Sequence, residues 1–353
     1  MAPQACGTTV ATALGARRVL GRTGLRVSPV ALGTMQFGWT ASDVQSMRIL
    51  DAYRAAGGNL IDTANMYGGD QSTEQFAANR AHVGMSEDII GRWLQTRGGR
   101  DDLVLTTKVR ARMWEGADGE GLTRAHIMRA VEDSLRRLRT ECIDVLYAHW
   151  PDPQTHPEEW LEAFGDLIRQ GKVGVAGTSN FCGFETFGDL LTPLLDLARR
   201  GSGYPAIQVE QPRFNLLNRG EYEPALQRIA LDHGLGIVTY SSLASGFLAG
   251  AVPLRQAPCG SRARFLAQYC VEEGWQLLEA LQQIARDLQV PVAAVALAWT
   301  QAQPGVTSTL IGPDRLEQLA EASWSPAIRL DQEQLACLDR LSWRLSRPEF
   351  VQW

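Results

Sequence analysis

The sequence predicts a (β/α)8 barrel, in which eight parallel strands close on themselves and are surrounded by helices. Short apolar runs alternate with amphipathic stretches along almost the whole chain. The apolar runs are continuous, which is typical of parallel strands buried on both faces. A doubly wound sheet is the alternative, but the turn at Gly33 lacks the glycine fingerprint usual after the first strand of such a sheet. We place the strands near residues 31–33, 58–62, 103–107, 143–148, 173–177, 206–210, 236–240 and 308–311.

Capping and turn residues mark the ends of several predicted helices. Thr123 is a favoured N-cap type, and Pro157 suits the first turn of a helix. Glycine readily ends a helix because it adopts left-handed backbone angles, and Gly58, Gly171 and Gly234 each lie where a helix should stop before a strand. These signals support a helix after each strand.

Two segments fall outside the repeat of strands and helices. Residues 18–28 contain two apolar runs around a glycine-rich turn, which predicts a β-hairpin that could plug the bottom of the barrel. A long segment, roughly 242–307, separates the seventh strand from the eighth and could handle phosphate or cover the mouth. We expect a single barrel domain over residues 17–345, a flexible extension over 1–16 and a C-terminal tail over 346–353.

The composition is that of a soluble globular enzyme. Of the 353 residues, 45% are hydrophobic and 21% charged, and the formal net charge is -5. This balance gives no basic surface, so neither nucleic acid nor a membrane is an expected partner. No apolar run approaches the roughly 18 residues of a spanning helix, and residues 1–16 lack the pattern of a signal peptide. The six cysteines have no metal-ligand spacing, so we expect reduced thiols, no metal and a cytoplasmic protein.

Four ionisable side chains should meet at the mouth of the barrel. Asp62, Lys108 and His149 each follow or end an apolar strand, and Tyr67 lies five residues after Asp62. Active-site groups of such barrels come from the C-terminal ends of several strands. Taken singly, each residue is more often structural, as a helix cap, a solvated strand end, a rim residue or a near-core histidine. Their joint placement favours catalysis.

These four groups suit proton transfer to a carbonyl oxygen. Tyrosine has a pKa near ~10, but an adjacent ammonium stabilises tyrosinate and lowers that pKa. We therefore expect Tyr67 to act as general acid and Lys108 to lower its pKa. Asp62 would keep Lys108 charged and in place, and His149 would hydrogen-bond the substrate oxygen.

Large apolar side chains also follow the strand ends. They indicate a substrate with some apolar surface, although the same side chains could simply close the mouth of the barrel. The candidate pocket residues are Met35, Trp39, Trp114 and Trp150.

Seven motifs follow one another along the chain. They are Leu-Gly-Arg-Thr-Gly-Leu-Arg-Val-Ser from Leu20, Ile-Asp-Thr-Ala from Ile61, Thr-Lys ending at Lys108, Gly-Thr-Ser-Asn-Phe from Gly177, Asn-Leu-Leu-Asn-Arg from Asn215, Tyr-Ser-Ser-Leu-Ala from Tyr240 and Leu-Ile-Gly from Leu310. By these motifs the chain resembles the aldo-keto reductase superfamily from about Arg18 to Leu341. The resemblance implies a barrel enzyme that transfers hydride between a nicotinamide cofactor and a carbonyl or alcohol. It also implies that the family's catalytic tetrad is Asp62, Tyr67, Lys108 and His149.

The same resemblance implies a set of cofactor contacts. Ser179, Asn180 and Gln208 would hydrogen-bond the nicotinamide carboxamide, and Phe214 would stack on the nicotinamide ring. The segment after the seventh strand would wrap the pyrophosphate, and the stretch after the eighth would bind the adenosine. The residues of these two segments are Tyr240, Ser241, Leu243 and Gly246, and then Ile311, Gly312, Asp314, Arg315, Gln318 and Glu321.

Three departures from the family pattern bear on the cofactor. Asp314 stands where a small polar or basic residue is usual; an acid there would repel a 2′-phosphate, whereas Arg315 could attract one. Ala322 replaces the usual asparagine after Glu321, which removes an adenine contact. Ser242 replaces the proline of the usual Ser-Pro-Leu turn. We expect NADPH as the cofactor, with NADH as the alternative.

The resemblance and the four strand-end groups predict an NAD(P)H-dependent reductase of aldehydes or ketones whose partner is a small carbonyl or alcohol. One alternative is an NAD-linked dehydrogenase of an alcohol or sugar, suggested by Asp314. Another is a cofactor-sensing binding subunit with little turnover. A Schiff-base aldolase using Lys108 is disfavoured, because Asp62 would raise the lysine pKa. No pattern indicates the oligomeric state.

Overall fold

The computed structural model describes residues 14–69, 82–182, 189–201, 203–259 and 263–345. Within these ranges eight parallel strands close into a barrel, and two further strands form an antiparallel hairpin ahead of it. The strands are β1 (Arg18–Val19), β2 (Arg26–Val27), β3 (Val30–Gly33), β4 (Leu60–Asp62), β5 (Val104–Val109), β6 (Ile143–Ala148), β7 (Val173–Ser179), β8 (Ile207–Gln211), β9 (Gly236–Thr239) and β10 (Val306–Ile311). Their order around the barrel is β10-β3-β4-β5-β6-β7-β8-β9, which confirms the predicted fold.

Helices follow the barrel strands and cover their outer faces. They are α1 (Asp43–Ala55), α2 (Met85–Arg97), α3 (Arg124–Leu138), α4 (Pro157–Arg169), α5 (Leu191–Arg200), α6 (Ala225–His233), α7 (Ala263–Ala267), α8 (Glu272–Leu288), α9 (Val292–Ala302), α10 (Leu316–Ala322) and α11 (Gln332–Leu345). Short 3-10 segments span Arg100–Asp102, Ala244–Ala249 and Ser325–Ala327.

The helix ends agree with the capping residues in the sequence. The Thr123 side chain accepts a hydrogen bond from the backbone N–H of His126, so it is the N-cap of α3. Pro157 is the first residue of α4. Gly234 ends α6 with a left-handed φ of 65°, which a residue with a Cβ adopts only at a cost.

The barrel interior is a separate apolar cluster closed at one end by the hairpin. Leu20, directly after β1, and Val27 of β2 are both fully buried and extend this cluster. A Cβ added to Gly21 would lie 2.3 Å from the backbone N of Gly236, so glycine lets the hairpin turn lie directly against the start of β9. The predicted plug is therefore present, and the functional side chains lie at the opposite end. The interior strand residues are Ala31, Leu60, Val104, Val145, Tyr147, Val175, Val209, Val238 and Leu310.

The segment between β9 and β10 is long, as predicted, and contains α7, α8 and α9. The domain limits remain predictions at both ends, because residues 1–13 and 346–353 lie outside the described ranges. Leu14, within the predicted extension, is fully buried in the core, so the packed part of the chain begins before residue 17. No helix in the described part of the chain is long and apolar enough to cross a membrane.

Candidate active site

Strand alternation brings Asp62 and Lys108 together at the C-terminal end of the barrel. Successive residues of a strand point to opposite faces, so Leu60 and Asp62 share the inner face of β4. Lys108 occupies the inner face of β5, and its Nζ lies 2.5 Å from Asp62 Oδ2. Both residues are at most 2% exposed. The carboxylate and the ammonium therefore form a buried ion pair.

Further hydrogen bonds fix this ion pair. Lys108 Nζ also donates to the backbone carbonyl of Thr63 at 2.7 Å and to the Tyr67 hydroxyl at 3.4 Å, which uses all three ammonium donors. Asp62 Oδ1 accepts from the Thr106 hydroxyl at 2.6 Å and from Gln211 Nε2 at 2.9 Å. The lysine can therefore point only toward Asp62 and Tyr67.

The neighbours of Lys108 keep it charged. Burial lowers the pKa of Lys108, but the Asp62 carboxylate and Tyr67 raise it by more, so its pKa lies above the usual value. An ammonium is not a nucleophile, so this geometry does not support a Schiff-base aldolase.

The predicted lowering of the Tyr67 pKa is wrong in net direction. Burial raises the pKa of Tyr67, and the Lys108 ammonium only partly opposes that rise. The cost of removing tyrosinate from water exceeds the attraction of the ammonium. At neutral pH Tyr67 therefore carries its proton, which is the form required of a general acid.

His149 lies beside Tyr67 and is uncharged. Their ring centroids are 6.0 Å apart in an edge-on arrangement. Burial, Lys108 and Arg110 hold the pKa of His149 well below its usual value. The Nδ1 atom is buried without a hydrogen-bond partner. A neutral imidazole carries one N–H, so His149 can donate a single hydrogen bond.

A hydrogen-bond network joins the ends of β6 to β9. Asn180 Nδ2 donates to the His149 carbonyl at 3.0 Å and to Ser179 Oγ at 3.1 Å, while Asn180 Oδ1 accepts from the Tyr240 hydroxyl at 2.8 Å. Ser179 Oγ donates to the carbonyl of Gln211 at 2.7 Å. Three amide or hydroxyl side chains therefore lie together next to the His149 side of the site.

The assignment of Gln208 to the cofactor is wrong, because this residue lies at the other end of the barrel. It lines a cavity with Arg22 of the hairpin and Gly234 at the end of α6. The glutamine at the C-terminal end of β8 is Gln211, which is 2% exposed and bonded to Asp62. Pro212 follows it directly, and because proline cannot continue a central strand, that proline was the signal for the strand end.

The stacking assignment of Phe214 is also wrong. Phe214 is fully buried, with its ring centroid 4.7 Å from that of Tyr222 and 5.5 Å from that of Trp299. A ring enclosed by protein has no face left for a ligand. Tyr240 is the partly exposed aromatic residue directly after β9, and its hydroxyl is anchored on Asn180.

The segment after β9 has an unusual backbone. Positive φ angles occur at Ser241 (55°), Ala244 (47°), Ser245 (58°) and Gly246 (102°). Turns of this kind can direct backbone N–H groups to one side and form anion-binding concavities. The N–H groups of Ala244 and Gly246 already donate within the turn, to the carbonyls of Ser241 and Leu243. Leu243 is partly buried and packs against the core.

The stretch after β10 places an acidic and a basic side chain, Asp314 and Arg315, near the start of α10. Arg315 is exposed, and its Nε lies 3.7 Å from Asp314 Oδ1. Gln318 Oε1 accepts from the backbone N–H groups of Asp314 at 2.8 Å and Arg315 at 3.3 Å. Gly312 and Glu321 are exposed, whereas Ile311 is buried, so its side chain is not available to a ligand.

The predicted pocket residues differ in their relation to the site. All four are partly exposed: Met35, Trp39, Trp114 and Trp150. Trp150 contacts the site directly, with its ring centroid 4.5 Å from that of His149. Trp114 instead lies 4.9 Å from His126 on α3. In the described residues no group of His, Cys, Asp or Glu could hold a metal ion.

Comparison with known proteins agrees with the barrel fold. The model of the aldo/keto reductase family matches residues 29–342. The chain is 36% identical over 325 residues to the uncharacterized oxidoreductase YrpG of Bacillus subtilis (strain 168), covering 91% of this chain and 94% of that protein. It is 32% identical over 312 residues to a probable voltage-gated potassium channel subunit beta of Oryza sativa subsp. japonica, and 31% identical over 320 residues to one of Arabidopsis thaliana. Both plant matches cover 86% of this chain and 88% of the relative.

The fold and the relatives define an oxidoreductase built on a (β/α)8 barrel. The chain belongs to the aldo/keto reductase family. This family supports NAD(P)H-dependent carbonyl reduction as the general chemistry.

Proposed function

We propose that this protein reduces an aldehyde or ketone to an alcohol at the expense of NADPH, with Tyr67 as the general acid. The observation that carries the proposal is the chain of contacts from Asp62 through Lys108 to the Tyr67 hydroxyl. A protonated tyrosine beside a fixed ammonium can give up its proton while the ammonium stabilises the tyrosinate that remains.

The side chains at the ends of β7 to β9 fit a nicotinamide. The Ser179 hydroxyl and the amides of Asn180 and Gln211 offer both donors and acceptors, as a carboxamide requires. Tyr240 offers a partly exposed aromatic ring next to them. When bound, the reduced cofactor supplies the hydride.

The residues of the chain then manage the substrate oxygen and its proton. Neutral His149 would donate a hydrogen bond to the carbonyl oxygen and polarise it. Tyr67 would deliver the proton to the same oxygen, and Lys108 would stabilise the tyrosinate. Asp62 does not touch the substrate; it holds Lys108 in the charged state and in position.

Tyr67→Phe tests the proposal, because it removes the proton donor and keeps the ring. We expect turnover of a reactive aldehyde to fall about 10²- to 10⁴-fold, the usual contribution of a general acid. Tyr204→Phe is the matched control, because it removes a tyrosine hydroxyl from the loop before β8, away from the site. Steady-state kinetics with 4-nitrobenzaldehyde measures both. Unchanged turnover in Tyr67→Phe would refute the assignment.

The same assay, run with NADPH and with NADH, measures the cofactor preference and so distinguishes the reductase from the NAD-linked dehydrogenase. Arg315 is 69% exposed in its side chain and could reach a 2′-phosphate, whereas Asp314 beside it would repel one. We propose that the attraction of Arg315 for the 2′-phosphate exceeds the repulsion by Asp314, so that kcat/KM is higher with NADPH. A preference for NADH would instead support the alternative of an NAD-linked dehydrogenase of an alcohol or sugar.

A binding role is the second candidate, favoured by the similarity to plant proteins named as probable potassium channel beta subunits. Such a protein would bind NADPH and turn over little. Tight NADPH binding by protein fluorescence, with no oxidation of NADPH across a broad panel of carbonyls, would favour this role over the reductase.

A further inference from the structure

Arg110 is a partly buried charged side chain next to the candidate active site. It directly follows β5, two residues beyond Lys108. Its guanidinium carbon lies 5.0 Å from the centroid of the Trp150 ring, and that ring also contacts His149 in a tilted arrangement. Its charge contributes to the low pKa of His149, after burial and Lys108. Arg110 and His149 therefore both lie against the Trp150 ring.

Arg110 makes no ion pair among the described residues, although its charge acts on Asp152 from a greater distance. No carboxylate there lies within ion-pair distance, and Nε is buried without a hydrogen-bond partner. The carboxylate of Asp152 is already engaged: its Oδ2 accepts from the backbone of Leu122 at 2.8 Å and from the Thr155 hydroxyl at 2.7 Å. A partly buried arginine is normally paired, because an unsatisfied charge away from water is costly. The donors of Arg110 are thus available to a ligand.

The backbone of Arg110 is held in a conformation that favours glycine. Its φ is 147°, and its carbonyl accepts a hydrogen bond from the N–H of Gly121 at 2.8 Å. Non-glycine residues with positive φ cost energy and cluster at ligand sites. The loop after β5 therefore fixes the position from which the side chain starts.

The barrel order places Arg110 away from the proposed cofactor contacts. Ser179, Gln211 and Tyr240 follow or end β7, β8 and β9, and Arg315 follows β10. Arg110 and Trp150 follow β5 and β6. A cofactor lying across the ends of β7 to β10 would leave Arg110 on the side where the substrate enters.

We propose that Arg110 determines substrate specificity by binding a carboxylate on the carbonyl substrate. This inference rests on the proposed reductase function and names its substrate class as aldehydes or ketones that carry a carboxylate. The planar guanidinium fork pairs with both oxygens of a carboxylate. The Trp150 ring, which lies close to both Arg110 and His149, provides a flat apolar surface for the part of the substrate between its carboxylate and its carbonyl.

A matched pair of aldehydes tests this assignment. 4-Carboxybenzaldehyde and its methyl ester share the ring and the position of the aldehyde but differ in charge. We expect wild-type kcat/KM to favour the acid over the ester, chiefly through KM. Arg110→Gln should lower that acid-to-ester ratio about 10- to 100-fold, the usual effect of losing a hydrogen bond to a charged group. Arg110→Lys, which keeps the charge but loses the fork, should give an intermediate ratio.

Arg129→Gln is the matched control, because the Arg129 guanidinium also lies over a tryptophan, 4.1 Å from the Trp114 ring centroid, but on α3. Its acid-to-ester ratio should equal that of the wild type. An Arg110→Gln ratio equal to the wild-type ratio would overturn the proposal. So would a wild-type preference for the acid that does not weaken with added salt, and this measurement needs no variant.

Failure of the reductase proposal is distinguishable from failure of the Arg110 proposal. If the wild type reduces neither aldehyde, the reductase function fails, and 4-carboxybenzaldehyde is then titrated into the protein with NADPH and followed by fluorescence. Binding to the wild type that is about 10- to 100-fold tighter than to Arg110→Gln would still support the carboxylate site. Equal binding would overturn it.

Discussion

Glu210 is a buried carboxyl group directly behind the turn that carries Ser179 and Asn180. It accepts hydrogen bonds from the backbone N–H of Phe181 at 3.2 Å and from the Thr178 hydroxyl. Within the described residues no arginine or lysine lies within 4.0 Å of it, so burial dominates and raises its pKa to about 7. The protonation of Glu210 therefore takes place next to the side chains proposed to hold the nicotinamide.

The raised pKa of Glu210 predicts that stability falls as pH rises toward neutrality. Between the usual carboxyl pKa and about 7, the folded protein holds a proton that the unfolded chain has lost. Its contribution is therefore most favourable below the unfolded pKa and is lost as pH rises through the folded pKa, a change of about 3 kcal/mol. Glu210→Gln should remove this dependence. The difference in thermal midpoint between Glu210→Gln and the wild type should therefore increase from pH 5 to pH 8. This increase should be larger than for any surface variant.

Glu87→Gln is the control for this pH experiment. Glu87 is also fully buried outside the barrel strands, but its Oε2 accepts from Arg137 Nε at 2.8 Å and its Oε1 accepts from the Thr107 hydroxyl at 2.6 Å. Breaking that ion pair should destabilise the protein at both pH values, because the partly buried Arg137 is left without its counter-charge. If Glu210→Gln and Glu87→Gln behave alike, the account of Glu210 is incorrect.

At the scale of elements, β8 shows that the sequence predicts the position of a strand but not its register with the neighbouring strand. The strand was predicted near 206–210 and observed at Ile207–Gln211, because an apolar run is easily read. The register between β7 and β8 shifts, however: Ala176 pairs with Ile207, but Gly177 pairs with Val209. Gln208 is the extra residue of this irregularity. Hydrogen-bond register is a property of two strands together, so the sequence of β8 alone could not show this shift, although Pro212 marked Gln211 as the end of the strand.

This register predicts different effects on cofactor binding for the two glutamines. Gln211→Ala should weaken NADPH binding about tenfold, the effect of losing roughly one good hydrogen bond. Gln208→Ala should leave the affinity unchanged, because Gln208 lines the cavity at the N-terminal end of the barrel. Fluorescence titration with NADPH measures both. A weaker complex with Gln208→Ala and a normal one with Gln211→Ala would show that the register does not describe the functional site.

The prediction for Phe214 failed for a different reason. Phe214 packs on Trp299, which lies on α9 and far along the chain. Strand ends and their acidic, basic and aromatic residues are local signals, so Asp62, Tyr67, Lys108 and His149 could be placed together in advance. Whether a loop side chain turns inward depends on which distant helix covers it. That information is tertiary and is absent from the local pattern.

At the scale of the whole molecule, the hairpin that closes the barrel and the candidate active site lie at opposite ends of the barrel. The hairpin closes the N-terminal end through Leu20 and Val27, and the candidate site occupies the C-terminal end. The interior cluster between them is apolar from β3 to β10. Changes at the hairpin should therefore alter the free energy of unfolding without altering the geometry of Lys108 and Tyr67.

Leu20→Ala tests this separation. Leu20 is fully buried and packs closely enough that a Cβ on Gly236 would lie 2.6 Å from its side chain. Removing most of that side chain should cost about 2–5 kcal/mol in urea unfolding, because transfer and cavity terms add. The kcat/KM of the folded variant should equal that of the wild type. Leu231→Ala, at a leucine that is 56% exposed, should change stability by less than about 0.5 kcal/mol. A loss of turnover in Leu20→Ala at temperatures where it stays folded would mean that the barrel transmits the state of its closed end to the site.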